Sequence, residues 1–440
     1  MKPIPVTAYL GSDQPPPAVV VGLDSVTGLQ SARILSARNI PVIGVAKNPE
    51  HFACRTRACQ DVVLADTNGE QLIQQLIDLS KKQSAKPVLL NCTDMSVLLA
   101  SRHRESLTPF YHFVLPKAEA VETLTDKVNF IRYAQLKGLP IPDSYVLESA
   151  ADAEQAAAEL SFPAVLKPAL KTALWQRYGK AKAFVVNSSE ELLACFRLNR
   201  EWTPALLVQR WIPGPLSNQY TCNAYFDSRS QPLVTFVTRK LRQWPPVAGV
   251  GCFSAECRND EVLDETVRLF QSIGYAGLGY LEMKQDERTG KHYIVEPNIG
   301  RPTGRSASAE AGGVELLLTY YCDALGVSLP ENRQQQYTNV KWIYWRHDLQ
   351  AEWHALRRDR QSWRQIWTSR RGRKAFAIFS WRDPVPFFAD FLRTGRKVFR
   401  ARKARSSSRN MLGSTSTANN VRQDNDHSER PLAKTDGARS

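Results

Sequence analysis

Three side chains that carry hard oxygen ligands lie close together in one stretch of the chain. They are Glu282, Glu296 and Asn298. Carboxylate and amide oxygens are ligands that Mg²⁺ accepts in proteins, usually together with phosphate oxygens. Arg301 and Arg305 follow at once, as expected where anionic groups must be neutralised. The stretch predicts a magnesium site that receives phosphate; the alternative interpretation is a solvated hairpin face that carries ordinary polar residues.

A β-hairpin would bring these ligands together. Two short apolar runs flank the turn-forming residues 286–290, which is typical of two strands and a tight connection. Pairing Gln285 with Lys291 would place Glu282 opposite Ile294. Because side chains alternate along a strand, the three predicted ligands then share one face. A slip of one residue would send the two carboxylates to opposite faces.

The composition indicates a globular chain of two or three domains. The chain has 440 residues, of which 43% are hydrophobic and 23% charged, ordinary values for such proteins. No apolar run approaches the ~18–20 residues that a membrane-spanning helix needs. Residues 1–17 are proline-rich without the apolar centre of a secretory signal, and they predict a flexible lead-in. Eight scattered cysteines without a CxxC pair favour a reducing, cytoplasmic location.

The net charge of +15 is concentrated near the C-terminus. Residues 357–405 contain 16 Lys or Arg against 3 Asp or Glu. The basic character therefore belongs to that segment and predicts nothing about the ligand of the preceding chain. Nucleic-acid binding would depend on this segment alone, and no specific nucleic-acid partner is expected.

Residues 18–115 predict a parallel α/β domain of Rossmann-like type. Buried strands and amphipathic helices alternate through this region. Gly22 and Gly28 suggest a dinucleotide site, but the sequence between them is not GxGxxG, which argues against nicotinamide chemistry. Asp24 or Ser25 would instead be available to a substrate.

Two lysines in the next region are positioned for a polyphosphate. Lys127 falls in the first turn of a predicted helix capped by Thr125, where a cation gains nothing from the helix dipole. Lys167 ends a predicted strand and precedes the polar loop 171–180. A strand, loop and returning strand with lysines at the edges favours phosphate binding, and exposed surface lysines are the alternative.

A strand over 206–212 breaks at Pro213 and Gly214. Such a break leaves backbone N–H and C=O groups free to pair with the edge of an adenine ring. Gln209 and Trp211 lie beside this break, and Lys240 ends a later predicted strand that carries further basic residues. The strand end predicts a phosphate site, with a solvated face as the alternative.

Residues 331–405 predict a basic, aromatic helical appendage, followed by a disordered tail over 406–440. Trp353, Leu356, Trp363 and Trp367 would form one helical side. The aromatic and arginine residues of 387–400 suit a membrane surface or an acidic partner, at the inner face of the membrane, and a helix docked on the core is the competing prediction. The tail is polar and of low complexity.

An ordered series of short motifs resembles the ATP-grasp superfamily. The motifs are TDK (125–127), VLKP (165–168), LVQRWIPG (207–214), RKLRQWPP (239–246), YLEMK (280–284) and VEPNIGR (295–301). The closest similarity is to its carboxylate–amine ligase branch, which includes D-aspartate-ligase-like and carbamoyl-phosphate-synthase-like proteins. The resemblance covers residues 18–330. It implies a pre-ATP-grasp α/β domain over 18–115 and a two-lobed ATP-grasp domain over 116–330.

The resemblance also implies a role for each predicted site residue. Those implied to bind ATP are Lys127 and Lys167 at the phosphates, Gln209, Arg210, Trp211 and Ile212 at the adenine, and Asn218 at the ribose. Glu282, Glu296 and Asn298 would hold two Mg²⁺ ions. Lys240 would lie near the transferred phosphate and Arg301 would steady the intermediate. Gln209 and Arg210 stand where many relatives carry acids, and Arg301 is one residue further on than usual.

The implied chemistry is phosphoryl transfer from ATP to a substrate carboxylate, followed by attack of an amine on the acyl phosphate. The substrates are therefore a small carboxylic acid and an amine, whose identities the sequence does not reveal. The alternative hypothesis is a catalytically inactive nucleotide-binding scaffold that docks at a membrane through its basic C-terminal segment.

Overall fold

A computed structural model describes residues 5–10, 14–170, 172–178, 183–246, 249–358 and 370–395. Contacts divide the chain into a first unit, 1–387, and a second, 388–440. The described part of the second unit, 388–395, is helical. No helix in the described ranges is long and apolar enough to cross a membrane. Trp363 and Trp367 of the predicted helical side, the end of the predicted polar loop 171–180 and the predicted tail lie outside these ranges.

The N-terminal region contains a four-stranded parallel sheet in the order β3-β2-β1-β4. Its strands are β1 (Ala18–Val21), β2 (Val42–Ala46), β3 (Asp61–Leu64) and β4 (Val88–Asn91). The helices of this region are α1 (Thr7–Leu10), α2 (Val26–Ser36), α3 (Gln71–Lys81), α4 (Asp94–Arg102) and α5 (Arg104–Leu107). The predicted parallel α/β unit is thus confirmed. β1 and β2 are short apolar runs that are buried along their whole length, whereas β3, at the edge of the sheet, begins with Asp61 and is only partly buried.

The two conspicuous glycines of this unit serve packing. Gly22 has φ +89°, a left-handed value that favours glycine. A Cβ on Gly28 would lie 2.3 Å from the Gly22 carbonyl oxygen, so a side chain there would push α2 away from the end of β1. The Ser25 hydroxyl caps α2 by accepting from the Gly28 N–H. These contacts account for both glycines by packing.

A small antiparallel sheet with its own core follows. Its order is β5-β8-β6-β7, and its strands are β5 (Ser144–Leu147), β6 (Ala164–Pro168), β7 (Phe184–Val186) and β8 (Leu206–Arg210). The helices of this stretch are α6 (Ala118–Thr125), α7 (Lys127–Leu136), α8 (Ala150–Glu159), α9 (Ala173–Tyr178) and α10 (Ser189–Asn199). The predicted polar loop after Lys167 therefore contains a helix, which buries Trp175 in the core of this sheet.

The third sheet has seven strands in the order β13-β12-β9-β10-β11-β14-β15. Its strands are β9 (Gln219–Phe226), β10 (Pro232–Trp244), β11 (Val250–Glu256), β12 (Gly277–Gln285), β13 (His292–Ile299), β14 (Lys341–Ile343) and β15 (Lys374–Phe376). The accompanying helices are α11 (Asp260–Ser272), α12 (Ala307–Ala311), α13 (Leu316–Leu325) and α14 (Trp345–Arg358). β14 and β15 extend the sheet, so the region predicted as a helical appendage also supplies two strands.

The chain after β15 is fastened to the N-terminal region by a buried ion pair. The Asp383 carboxylate accepts from Arg33 Nε at 2.9 Å and from the Thr56 hydroxyl at 2.5 Å. The Arg57 N–H donates to its other oxygen at 3.2 Å. Asp383 is only 5% exposed, so each of these bonds lies in a poorly hydrated environment.

Asp383→Ala should lower the free energy of unfolding by about 3–5 kcal/mol, because it leaves the Arg33 guanidinium buried without its counter-charge. Urea denaturation of the full chain measures this effect. Arg382→Ala is the matched control, since Arg382 is exposed beside it. Equal stabilities of the two variants would contradict this account of the contact.

Candidate active site

The β12–β13 hairpin brings Glu282 directly opposite Glu296. Near the turn, Gln285 pairs with His292, one residue beyond the predicted partner. A β-bulge in β13 lies between Ile294, the partner of Met283, and Glu296, the partner of Glu282. It shifts the register by one further residue. The predicted cross-strand partner was therefore wrong. The register thus differs from the prediction by one residue near the turn and by one more at the bulge. Because side chains alternate along a strand, the two shifts together leave both glutamates on the same face.

Asn298 completes the same face. It pairs with Tyr280. Side chains two residues apart in a strand point to the same face, so Tyr280 lies on the face of Glu282, and Asn298 lies on the face of Glu296. The Glu282 side chain is 25% exposed, and that of Glu296 is open to solvent. The three predicted metal ligands thus lie together on an accessible sheet face.

The two predicted phosphate lysines approach the Glu296 carboxylate from other elements. Lys127 is the first residue of α7 and Lys167 lies in β6. The charges of both lysines act on the Glu296 carboxyl. The predicted cap of α7 was wrong, since Asp126 accepts from the N–H groups of Val128 and Asn129. Asp binds two adjacent N–H groups there and begins a new helix directly after α6.

Burial shifts the ionisation of the facing groups in opposite directions. Burial lowers the pKa of Lys167 to about 8, and the charge of Lys127 adds to this effect while Glu296 opposes it. Glu296 is accessible to solvent, yet the protein around its carboxyl partly desolvates it and raises its pKa, with Glu282 as the second cause. A carboxylate that faces Glu296 and adds to the rise in its pKa marks a natural position for a cation.

A second basic pair borders Glu282. The Arg305 guanidinium donates to Glu282 Oε1 at 3.3 Å and to Thr221 Oγ1 at 3.1 Å. Burial lowers the pKa of Lys240, and the Glu282 carboxylate opposes that shift. A Cβ on Gly251 would lie 3.0 Å from Arg305 Nη1, so glycine leaves room for the arginine. Lys240 therefore lies beside the predicted metal ligands, as its proposed role requires.

Arg301 connects the hairpin with the N-terminal parallel sheet. Its guanidinium donates to Asn298 Oδ1 at 2.8 Å, to the Tyr280 hydroxyl at 2.7 Å and to Asp94 Oδ1 at 2.5 Å. Asp94 begins α4, directly after β4. The carboxyl end of the parallel sheet therefore faces the hairpin at Arg301, with the Asp94 side chain 67% exposed.

The hinge segment, residues 209–212, presents backbone groups at one edge of β8. The Arg210 N–H donates to the Asp143 carbonyl and the Trp211 N–H to the Pro163 carbonyl, each at 2.9 Å. Within the described ranges the Ile212 N–H donates no hydrogen bond. Successive N–H groups point to alternate edges of a strand. The Ile212 N–H thus points to the same edge of β8 as the Arg210 N–H, at a point beyond the end of β5 that follows Asp143.

The side chains of the hinge segment are held by neighbouring elements. Gln209 donates to the Ser144 hydroxyl at 2.8 Å. Arg210 forms ion pairs with Asp143 at 3.1 Å and with the buried Asp286 at 3.2 Å. These contacts leave backbone, rather than side-chain, atoms of the hinge for a planar ligand.

The turn after the hinge is attached to the end of β12. Lys284 Nζ donates to the Gly214 carbonyl at 2.9 Å, and Asn218 Nδ2 lies 3.4 Å from the Gln285 carbonyl. Lys284 is missing from the predicted site. Its position two residues after Glu282 in a predicted strand is the signal that places it on the same face.

The donor set fits a metal that is also bound by phosphate. Within the described ranges no group of three or more His, Cys, Asp or Glu residues is placed to hold a metal. Two carboxylates and one amide oxygen are a smaller set, typical of Mg²⁺ sites in which substrate phosphates complete the coordination. The repulsion that the Glu282 carboxylate exerts on Glu296 is consistent with that role.

Comparisons with known proteins agree with this geometry. The chain is 28% identical over 249 residues to a D-aspartate ligase of Enterococcus faecium, covering 53% of this chain and 58% of the relative. It is 30% identical over 186 residues to a D-alanine–D-alanine ligase B of Pseudomonas putida, covering 39% of this chain and 54% of the relative. The chain thus spans rather more than half the length of these curated relatives. No family model matches.

Solved structures share the fold at low identity. N5-carboxyaminoimidazole synthetase from Staphylococcus aureus superposes with TM-score 0.57 at 14% identity, over 74% of this chain and 81% of that chain. Biotin carboxylase from Campylobacter jejuni gives TM-score 0.58 at 15% identity, over 72% of each chain. These likenesses confirm the predicted α/β fold class, and the ligase relatives agree with the motif resemblance.

Proposed function

We propose that this chain is an ATP-dependent, ADP-forming ligase that activates a carboxylate as an acyl phosphate and joins it to an amine. The observation that carries the proposal is the convergence of Lys127 and Lys167 on the Glu296 carboxylate, which lies directly opposite Glu282 on the hairpin. These residues come from four elements. Unless the site binds a ligand, placing like charges together in this way does not stabilise the fold. The ligase relatives and the shared fold support the same assignment.

The proposed nucleotide site divides into a base end and a phosphate end. The Ile212 N–H and the adjoining backbone of Arg210 would pair with the adenine edge. Lys127 and Lys167 would neutralise the phosphates as point charges. Trp211, Gln209 and Asn218 remain proposed as supporting residues of the nucleoside region.

Glu282, Glu296 and Asn298 would hold magnesium, and we propose two ions, as the resemblance implies. Magnesium supplies charge neutralisation at the transferring phosphoryl group. Asn298 Oδ1 is also the acceptor for Arg301 in this structure. Arg301 would thus orient the amide oxygen while its remaining charge faces the substrate side.

The proposed reaction has two displacements. A carboxylate oxygen of the acid attacks the γ-phosphorus of ATP and ADP leaves, giving an acyl phosphate. The amine then attacks the acyl carbon, phosphate leaves, and the nitrogen loses a proton. No side-chain nucleophile is needed. Lys240 beside Glu282 and Arg301 beside Asn298 would stabilise the negative charge that develops on the phosphoryl and acyl oxygens.

The acid and amine would bind where the parallel sheet meets the hairpin. The strand order β3-β2-β1-β4 reverses direction between β1 and β4, and ligands of open α/β sheets bind at such a reversal. Asp24 and Asp94 follow these two strands, and Arg301 reaches Asp94 from the hairpin. Charges of both signs at one crevice favour amino-acid substrates, which also agrees with the names of the ligase relatives.

ADP release in the presence of ATP and Mg²⁺ tests the proposal. A panel of D- and L-amino acids and short-chain acids, each offered alone and in pairs, should contain pairs that release ADP above the ATP-only rate. The joined product is identified by mass. Failure of wild-type protein to bind MgATP would overturn the proposal. Binding without turnover across the whole panel would instead favour the inactive scaffold, which the relatives do not favour.

A further inference from the structure

Helix α14 carries an apolar stripe on its solvent side. Trp345, Leu349 and Trp353 are spaced four residues apart, which places them along one side of a helix. Their exposed fractions are 44%, 45% and 56%. The helix is held from another side, where Asp348 and Ala355 are buried. The stripe is therefore the part of a packed helix that the core leaves uncovered.

A further tryptophan extends this apolar area beyond the helix. Trp381, in the segment after β15, is 88% exposed. Its ring centre lies 4.8 Å from that of Phe379, which lies 5.7 Å from that of Phe376. The Phe376 ring in turn lies 6.0 Å from the Trp345 ring. Because a contiguous exposed apolar area marks an interaction site more often than scattered residues do, we name these four exposed side chains the tryptophan surface: Trp345, Leu349, Trp353 and Trp381.

The exposed charges around the tryptophan surface are all of one sign. Within residues 345–357 and 370–387 the acidic side chains, Asp348, Glu352 and Asp383, are all buried. Asp348 pairs with Arg242, and Glu352 with Arg370, so these acids neutralise inward-facing cations. The exposed charged side chains of the same two ranges are cationic throughout: Arg357, Arg371, Arg373, Lys374 and Arg382.

A partner for this surface must be apolar at its centre and anionic around it. A bilayer with anionic headgroups meets both demands, because indole rings favour the headgroup level and cations are attracted to the lipid phosphates. A helix side of Trp and Leu bordered by Arg and Lys is the pattern of a helix that lies in the membrane interface. A nucleic acid would pair with the cations through its backbone, but Leu349 offers it neither a hydrogen bond nor an aromatic ring for base stacking.

We propose that the tryptophan surface and its surrounding cations dock this chain on an anionic phospholipid bilayer. The surface belongs to the first unit, 1–387, and β15 lies in the same sheet as the hairpin of the predicted metal ligands. Docking therefore attaches the unit that carries the candidate active site. It needs no residue after Phe387, which separates it from the contact predicted for 387–400. The inference goes beyond the proposed function and does not depend on it.

Co-sedimentation of the full chain with lipid vesicles, without nucleotide, tests the inference. Phosphatidylcholine vesicles containing about one-third phosphatidylglycerol should bind wild-type protein much more tightly than pure phosphatidylcholine vesicles do. Trp381→Ser and Leu349→Gln should each weaken binding to the anionic vesicles by roughly fivefold to tenfold, because less apolar area is then buried in the bilayer. Leu198→Gln is the matched control, since Leu198 is an exposed leucine of α10, and it should bind as wild type does.

The cations are tested by a second pair of variants. Arg371→Gln combined with Arg373→Gln should weaken binding to the anionic vesicles by roughly 25-fold, at about fivefold for each cation near the membrane surface. Lys81→Gln combined with Lys82→Gln removes the same net charge from exposed positions at the end of α3. Salt screens charges that lie outside the contact, so this control should bind nearly as wild type does.

The outcomes separate the bilayer from other partners. Absence of wild-type binding to anionic vesicles would overturn the inference, and so would equal weakening by the surface variants and their controls. A single-stranded oligonucleotide supplies the competing test. If the arginine variant loses oligonucleotide binding while its vesicle binding is unchanged, the cations serve a nucleic acid and the inference fails. Selective loss of vesicle binding in the tryptophan, leucine and arginine variants supports it.

Discussion

Glu296→Gln is expected to abolish turnover while leaving the folded protein at least as stable as the unchanged chain. The carboxylate is the side chain on which both cleft lysines and Glu282 act. Loss of one charged metal ligand should remove several kcal/mol of stabilisation of the phosphoryl-transfer transition state. At about 1.4 kcal/mol for each factor of ten, that is a loss of about a hundredfold or more in rate.

Turnover is expected to fall in Glu296→Gln, but the stability of the folded protein is not, for a physical reason. Burial raises the pKa of Glu296, and repulsion from the Glu282 carboxylate in the absence of a cation adds to that shift. The neutral amide removes that repulsion without changing the size of the side chain. Thermal unfolding without Mg²⁺ should therefore show a midpoint no lower than that of wild type.

Mg²⁺ titration separates this prediction from a general loss of function. Wild-type protein should bind ATP more tightly as Mg²⁺ increases, whereas Glu296→Gln should show a much weaker dependence. Glu154→Gln, at an exposed position of α8, should behave as wild type in every assay. Normal turnover of Glu296→Gln at limiting Mg²⁺ would contradict the metal assignment.

The sequence predicted the parallel sheet and the ligand face because both depend on local patterns. Short apolar runs between turn residues specify strands such as β1 and β4. That Glu282 and Glu296 point to the same face follows from two strands joined by a recognisable turn. A change in register by an even number of residues leaves them on the same face. The cross-strand partner was mispredicted, because the bulge in β13 adds a residue that no turn residue or apolar pattern in the sequence marks.

Longer-range features escaped prediction for the same reason. β14 and β15 are three residues each and become strands only because β11 offers a free edge for β14 to pair with. Arg301 joins Asp94 across 207 residues of sequence, a contact that no periodicity reports. Lys284 was detectable in principle, since it follows Glu282 on the same face, yet its significance depends on the position of the hinge turn.

Lys167→Met should weaken ATP binding and remove its pH dependence. Burial lowers the pKa of the Lys167 ammonium to about 8, helped by Lys127 and opposed by Glu296. Below that pH the group is protonated and able to neutralise phosphate. As the pH rises through about 8 the free protein loses this proton, so nucleotide binding must take one up. Wild-type affinity should then fall by up to about tenfold per pH unit.

The methionine variant lacks this titration, so its affinity should be lower at pH 7 and nearly constant between about pH 7 and 9. A charge-assisted bond to phosphate contributes about 1.5–3 kcal/mol, which corresponds to a loss of roughly tenfold to a hundredfold in affinity at pH 7. Lys167→Arg retains the charge through this range and should restore part of the affinity without the pH dependence. Lys137→Met, on the exposed end of α7, is the control that should keep the wild-type profile. An unchanged pH profile in Lys167→Met would assign the titration to another group and remove Lys167 from the phosphate site.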